Sequence, residues 1–262
     1  MPFTLALAQC AHPEDGDVLA LVDEWTGHAA ACDAQLIVFP ECLMTPYEKT
    51  PEDFAAAAEP LDGPFVRAMC DLARKHRLWT LFTANERNPH GGAPYNTAVV
   101  VDDAGTVRAS YRKVHLFDVG EYRESSKMSA GDRIFEPLDT PLCRLGMAIC
   151  YDLRFPELAR KQALAGCELL VYPAAWVAGP GKTNQWESLA KARAIENGMY
   201  VAALSRTGSV YNGHSLVVDP TGEVLTCGYE GEELLVCKID PEKAAATRAA
   251  VPSLAHRRPE LY

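Results

Sequence analysis

The 262-residue chain has no apolar run approaching the eighteen or more residues of a membrane span, so a transmembrane helix is not expected. It lacks a CxxC pair. Its nine cysteines are odd in number and scattered, at 10, 32, 42, 70, 143, 150, 167, 227 and 237. That disfavours a disulfide framework or a zinc cluster and fits a reducing cytoplasm. Basic clusters are also missing: no Lys/Arg run exceeds two residues, and the formal net charge is −10. Such a surface repels phosphate backbones, so a nucleic-acid partner is not expected. There is no GxSxG, no P-loop and no HExxH, which removes the serine-hydrolase elbow, the nucleotide cradle and the zincin site. The opening MPFTLALAQCAHPEDGD has no basic n-region and reads as a first strand, not as a signal peptide.

What remains is ordinary globular composition, 48% hydrophobic and 23% charged. No linker or low-complexity segment divides the chain, so 1–262 is read as one domain. Strand-like runs fall at 4–10, 35–40, 78–84, 96–102, 106–114, 142–150, 168–176, 200–207, 214–219, 223–229 and 233–240. Helical patterns fall at 17–33, 52–76, 155–166, 184–198 and 241–249, with a break expected near Pro60 and Gly63-Pro64. Two segments echo each other: AVVVDDAGTVRAS and SLVVDPTGEVLT each place Asp-x-x-Gly turn chemistry between apolar strands. The pattern predicts a layered α/β fold with mixed sheets in two similar halves, and two such sheets packed face to face would make four layers.

Three β-like runs end in a reactive residue followed by loop chemistry: Glu41 in LIVFPECL, Lys113 in SYRKVHLFD and Cys150 in MAICYDLRFPE. Strand ends are where a rigid scaffold presents side chains at a crevice. A thiol attacks as thiolate and needs a base to take its proton and a cation for the developing oxyanion. Glu41, its carboxyl raised by desolvation, is the expected base, and Lys113 the cation. Each residue also has a bland reading, as core cysteine, solvated turn and surface charge.

Together, FPE (39–41), YRKVHLF (111–117) and CYDLRFPE (150–157), in that order, resemble the nitrilase superfamily of carbon–nitrogen hydrolases. Tyr95-Asn96-Thr97, Ala192 to Asn197, Asp219-Pro220-Thr221-Gly222 and the final RRPELY extend the resemblance over nearly the whole chain. It implies an α-β-β-α sandwich in which Glu41 is the base, Lys113 stabilises the oxyanion together with the Tyr151 N–H, and Cys150 forms a thioester. A further glutamate is implied after the lysine motif; Glu124 has that placement, although Ala130 stands where a proline is usual, and Glu121 lies close by. No cofactor or metal is implied, and a homodimer or higher oligomer is, with the RRPELY tail docked.

CYDLRFPE resembles the omega-amidase and deaminated-glutathione-amidase branch, since nitrilases proper carry Trp-Glu after the cysteine. The expected substrate is a small aliphatic amide bearing a carboxylate, with an N-carbamoyl amino acid or amine as the alternative. Arg154 either grips that carboxylate or pairs with Asp152 or Glu157. Trp176 either lines the acyl pocket or packs. His115, on the strand face of Lys113, and His214 show no Asn or Asp partner in sequence and are read as structural. A thiol redox protein and a noncatalytic scaffold are the competing classes.

Overall fold

The computed structural model describes residues 1–14 and 16–261; Tyr262, the last residue of the RRPELY tail, lies outside them. The two halves anticipated from the paired hairpins are two six-stranded mixed sheets. The first holds β1 (Phe3–Gln9), β2 (Leu36–Val38), β3 (Trp79–Glu86), β4 (Tyr95–Val101), β5 (Val107–Arg112) and, returning from the far end of the chain, β12 (Glu233–Ile239). Its order is β12-β1-β2-β3-β4-β5. The second comprises β6 (Leu138–Asp139), β7 (Arg144–Met147), β8 (Leu169–Ala174), β9 (Tyr200–Ser205), β10 (Leu216–Val218) and β11 (Val224–Cys227), in the order β11-β10-β9-β8-β7-β6. Each sheet has three parallel strands at its centre, an antiparallel hairpin on one side and a single antiparallel strand on the other.

Alternation along the strands sets the layers. In β1, Leu5 and Leu7 face one cluster and Ala6 and Ala8 the other; in β2, Leu36 and Val38 oppose Ile37. The outer cluster joins the first sheet to α1 (Val18–Ala31) and α3 (Pro64–His76) through Val22, Ala29, Val66, Met69 and Ala73. The other continues from Leu5, Leu36 and Leu81 through Leu145, Met147, Leu169 and Val171 of the second sheet. It ends on Leu158 and Ala159 of α4 (Pro156–Leu164) and Trp186 and Ala190 of α5 (Lys182–Asn197). The result is the expected α-β-β-α sandwich.

Local chemistry explains the boundaries. The 52–76 pattern breaks as expected into α2 (Pro51–Ala57) and α3. Both hairpins turn on glycines with positive φ, Gly105 (+77°) and Gly222 (+95°), where an L side chain would be strained. The last helix, α6 (Pro241–Ala250), starts on an Asp240 cap. One strand differs: 142–150 was expected to run to Cys150, but β7 stops at Met147. Cys150 instead adopts φ +46° and opens a 3₁₀ turn over Cys150–Arg154. Hydrophobicity carries no trace of that reversal. The two-residue β6, hemmed by Pro137 and Pro141, is too short for periodicity to mark.

Candidate active site

Glu41 follows β2 through Phe39 and Pro40, Lys113 follows β5 directly, and Cys150 lies three residues beyond β7. The two sheets thus present one carboxylate, one ammonium and one thiol at the same end of the sandwich. Several main-chain contacts fix them. The Lys113 N–H donates to the Asn96 carbonyl at 2.9 Å, and the Gly131 N–H donates to the Lys113 carbonyl at 2.8 Å. A Cβ at Gly131 would lie 2.4 Å from the Arg112 carbonyl oxygen, so only glycine permits this approach. Arg206, just past β9, reaches across to the other sheet. Its Nε donates to the Glu41 carbonyl at 3.1 Å and its Nη2 to the Cys42 carbonyl at 3.0 Å.

Lys113 is the hub. Its Nζ donates to Glu41 Oε1 at 2.8 Å and to Glu124 Oε1 and Oε2 at 3.0 and 2.8 Å. All three residues are at most 3% exposed. Asn96 Nδ2 donates to Glu41 Oε1 at 2.8 Å, and the Ala175 N–H donates to Glu41 Oε2 at 2.7 Å. The Phe117 N–H donates to Glu124 Oε2 at 2.7 Å. The Cys150 thiol, also buried, lies in the same pocket as the Glu41 carboxylate and interacts with it electrostatically. Glu121 is exposed and outside this cluster, so Glu124 is the glutamate that meets Lys113.

The electrostatics revise one expectation. Burial acts to raise the Glu41 carboxyl, but the Lys113 charge and the hydrogen bonds outweigh it, and Glu41 sits below its ordinary value. Glu124 is the carboxyl that burial raises, with the Glu41 charge adding to burial and Lys113 opposing it. The Lys113 ammonium, disfavoured by burial, is held far above the usual lysine value by Glu124 and Glu41. Burial and then the Glu41 charge push the Cys150 thiol well up, against the pull of Lys113. The resting pair is therefore carboxylate and thiol.

Lys113, Glu41, Glu124 and Cys150 form the floor of a pocket of about 420 Å³, counted with its open mouth. Its walls include Tyr47, Phe117, Tyr151, Arg154, Trp176 and Lys182. Trp176 does line it, just beyond β8. Arg154 pairs with neither Asp152 nor Glu157: its Nη2 donates to Gln185 Oε1 at 2.7 Å and its guanidinium lies 4.8 Å from the Trp176 ring centroid. His115 corrects the sequence reading in another way. Its Nδ1 lies 2.7 Å from Asp152 Oδ1, and its ring stacks on Phe155 at 3.6 Å, away from the pocket lining. His214 stays structural, its carbonyl accepting from Trp186 Nε1 at 2.9 Å. Asn96, Arg206 and Lys182 went unrecognised as site residues. Asn96 stood inside the noted Tyr95-Asn96-Thr97, whereas a buried arginine on a strand end and a lysine opening a helix leave no local mark. Among the described residues no group of three or more His, Cys, Asp or Glu side chains is placed to hold a metal ion.

Comparison with known proteins bears on the fold and the family. The carbon–nitrogen hydrolase family matches residues 4–249. An omega-amidase of Mus musculus is 38% identical over 244 residues, 89% of this chain and 87% of that protein. The crystal structure of Saccharomyces cerevisiae Nit3, a member of branch 10 of the nitrilase superfamily, superposes with a TM-score of 0.87 at 32% identity, over 98% of this chain and 97% of that one. An amidase from Nesterenkonia sp. AN1 superposes at 0.81 and 26% identity, over 99% and 95%; that structure, of a variant, shows the acetamide moiety of fluoroacetamide added covalently at the active site cysteine. The chain belongs to the carbon–nitrogen hydrolase family of the nitrilase superfamily and is an amidase-type enzyme of the omega-amidase branch.

Proposed function

We propose that this enzyme hydrolyses the C–N bond of a small aliphatic amide bearing a carboxylate, through a thioester on Cys150. The observation that carries the proposal is the Lys113 ammonium, held between Glu41 and Glu124 in the pocket that the Cys150 thiol also lines. Glu41 takes the thiol proton as Sγ attacks the amide carbon, so the charge separates only when the C–S bond forms. The tetrahedral oxyanion rests on Lys113 Nζ and the Tyr151 N–H. Glu124 grips the ammonium through both oxygens, and releasing one of these contacts frees a hydrogen for the oxyanion while the ion pair persists. Glu41 returns the proton to the nitrogen as the C–N bond breaks, and ammonia leaves. A water deprotonated by Glu41, with Glu124 as the neighbouring acid group, then attacks the thioester. The tetrahedral species collapses to the carboxylic acid, and the proton returns to Sγ.

A carboxylate on the substrate is supported by Arg154 at the pocket wall, where no acidic side chain among the described residues pairs with it. An N-carbamoyl amino acid meets the same requirement and differs in releasing carbon dioxide with the ammonia. The test is an ammonia and carbon dioxide assay over succinamate, glutaramate and N-carbamoyl acids, with Cys150→Ala as control. A thioester mass adduct is expected on the active protein; full activity of Cys150→Ala would sink the mechanism.

We read residues 1–262 as one domain, since a single hydrophobic cluster runs through both sheets to α4 and α5. A homodimer or higher oligomer is proposed on the exposed apolar residues Leu164 (α4), Ile195 (α5), Val251 and Leu261. Leu164 shares a groove with Arg257 of the tail. Light scattering tests this. All nine cysteines are free thiols, which supports placement in a reducing cytoplasm. No helix among the described residues is long and apolar enough to cross a membrane.

A further inference from the structure

We propose that Lys182 is the primary seat of the substrate's remote carboxylate, with Arg154 beside it, and that it selects monoamides of short dicarboxylic acids over neutral amides. This rests on the substrate reading above and adds the residue that enforces it.

The pocket's charge balance points there. Its acidic lining residues are Glu41 and Glu124, and both are committed to Lys113. Two further cations, Arg154 and Lys182, line the same pocket without an acidic partner among the described residues. Arg154 is engaged by Gln185. The Lys182 ammonium has no hydrogen bond or ion pair among the described residues; its Nζ lies 5.4 Å from the Phe117 ring centroid and 5.7 Å from that of Trp176. Partly exposed cation–π contacts are weak and yield to a carboxylate.

The placement of Lys182 is also electrostatically unfavourable without an anion. It is the first residue of the sixteen-residue α5, where the helix dipole favours negative charge, and the first turn has no acidic residue and no side-chain cap. Gly179 and Gly181, at φ +150° and +70°, turn the chain so that this residue meets the pocket. Burial, and then the Arg154 charge, lower the Lys182 ammonium from the ordinary lysine value. A bound carboxylate relieves the like-charge repulsion and satisfies the ammonium. The same wall holds a further unused donor: Trp176 is 4% exposed and its Nε1 has no hydrogen-bond partner among the described residues.

The experiment measures kcat and KM for glutaramate and for pentanamide, which replaces the carboxylate by a methyl group, in wild type, Lys182→Met, Lys182→Arg and Arg154→Met. Wild type is expected to favour glutaramate. In Lys182→Met the ratio of the two kcat/KM values falls about tenfold or more, the size of one charge-assisted hydrogen bond, mainly through KM for glutaramate. Lys182→Arg retains most of the ratio, and Arg154→Met lowers it less than Lys182→Met does. A ratio within about twofold of wild type in Lys182→Met, or a larger fall in Arg154→Met, overturns the role of Lys182 while leaving the substrate reading standing. A wild-type enzyme that favours pentanamide, or turns over neither amide, overturns the substrate reading itself.

Discussion

Tyr111 donates its phenolic proton to Asp152 Oδ2 at 2.8 Å, joining the strand that carries Lys113 to the turn that carries Cys150. The same carboxylate accepts the Ile149 N–H at 2.9 Å, the His115 N–H at 3.2 Å and the His115 Nδ1 hydrogen at 2.7 Å. Asp152 is fully buried, so these bonds compensate a charge that water cannot reach. One side chain thereby sets the distance between a cation in one sheet and a thiol in the other. It also supports the positive φ of Cys150, a conformation that persists only where its surroundings over-determine it.

Asp152 is accordingly a positioning residue. Asp152→Asn places an amide N–H₂ against donors and is expected to cost about 1–3 kcal/mol in urea unfolding. It should lower kcat with little change in KM, because the pocket wall stays intact. Tyr111→Phe should cost about 1 kcal/mol and produce a milder form of the same split. A loss of stability with kcat unchanged would make the network structural only.

Lys113 holds two buried carboxylates. Lys113→Met removes the cation and leaves both uncompensated, which is expected to cost about 3–5 kcal/mol in urea unfolding and to abolish turnover. Adding Glu124→Gln in that background removes one stranded charge and should recover stability but not activity. The coupling between the two substitutions is read from the double-mutant cycle. Additive losses would show that Lys113 and Glu124 do not act as a unit.

Much of this was legible in the sequence because it obeys local rules. Asp-x-x-Gly chemistry marked both hairpins, and Pro60 and Gly63-Pro64 marked the break between α2 and α3. Glu41, Lys113 and Cys150 were legible because each follows a β-like run and because their three motifs, in that order, resemble one family. Other features depend on where distant segments meet. The depressed Glu41 carboxyl is set by a lysine 72 positions away, so desolvation alone gave the wrong direction. Asp152 and His115, 37 positions apart, pair because the sheets pack face to face. Arg206 reaches Glu41 across 165 positions, and no periodicity encodes that contact.

The opposed shifts of Glu41 and Glu124 give a pH prediction. Glu41 lies below its ordinary value of 4.5 and must be ionised to accept the thiol proton. Glu124, the raised carboxyl, takes up the pair's first proton above the ordinary glutamate value, so activity should change in part there and be lost fully only as Glu41 takes up a proton below it. Because the carboxyls interact through Lys113, the acid limb of kcat/KM belongs to the pair, not to either residue. Glu124→Gln removes a neighbouring negative charge, which lowers Glu41 further, so the acid limb should move to lower pH in whatever activity remains. A limb that moves upward would show that Glu41 is not the group being titrated.

The hairpin at Asp219 gives a stability prediction remote from the pocket. Asp219 Oδ1 accepts the Thr221 N–H at 2.8 Å, the Thr221 hydroxyl at 2.7 Å and the Glu223 N–H at 3.1 Å, while Oδ2 pairs with Lys243 of α6. Burial acts to raise this carboxyl, but the Lys243 and Thr221 hydrogen bonds outweigh it and hold it below its ordinary value of 3.8. A carboxyl depressed by folding contributes stability that is present above its unfolded value and is lost as pH falls through the folded one. Asp219→Asn should therefore cost about 1–3 kcal/mol in urea unfolding at neutral pH. The gap from wild type should close as pH falls below the ordinary aspartate range, where the native carboxyl is also neutral. A cost that stays constant across that range would mean that Asp219 contributes through its shape and hydrogen bonds, not through its charge.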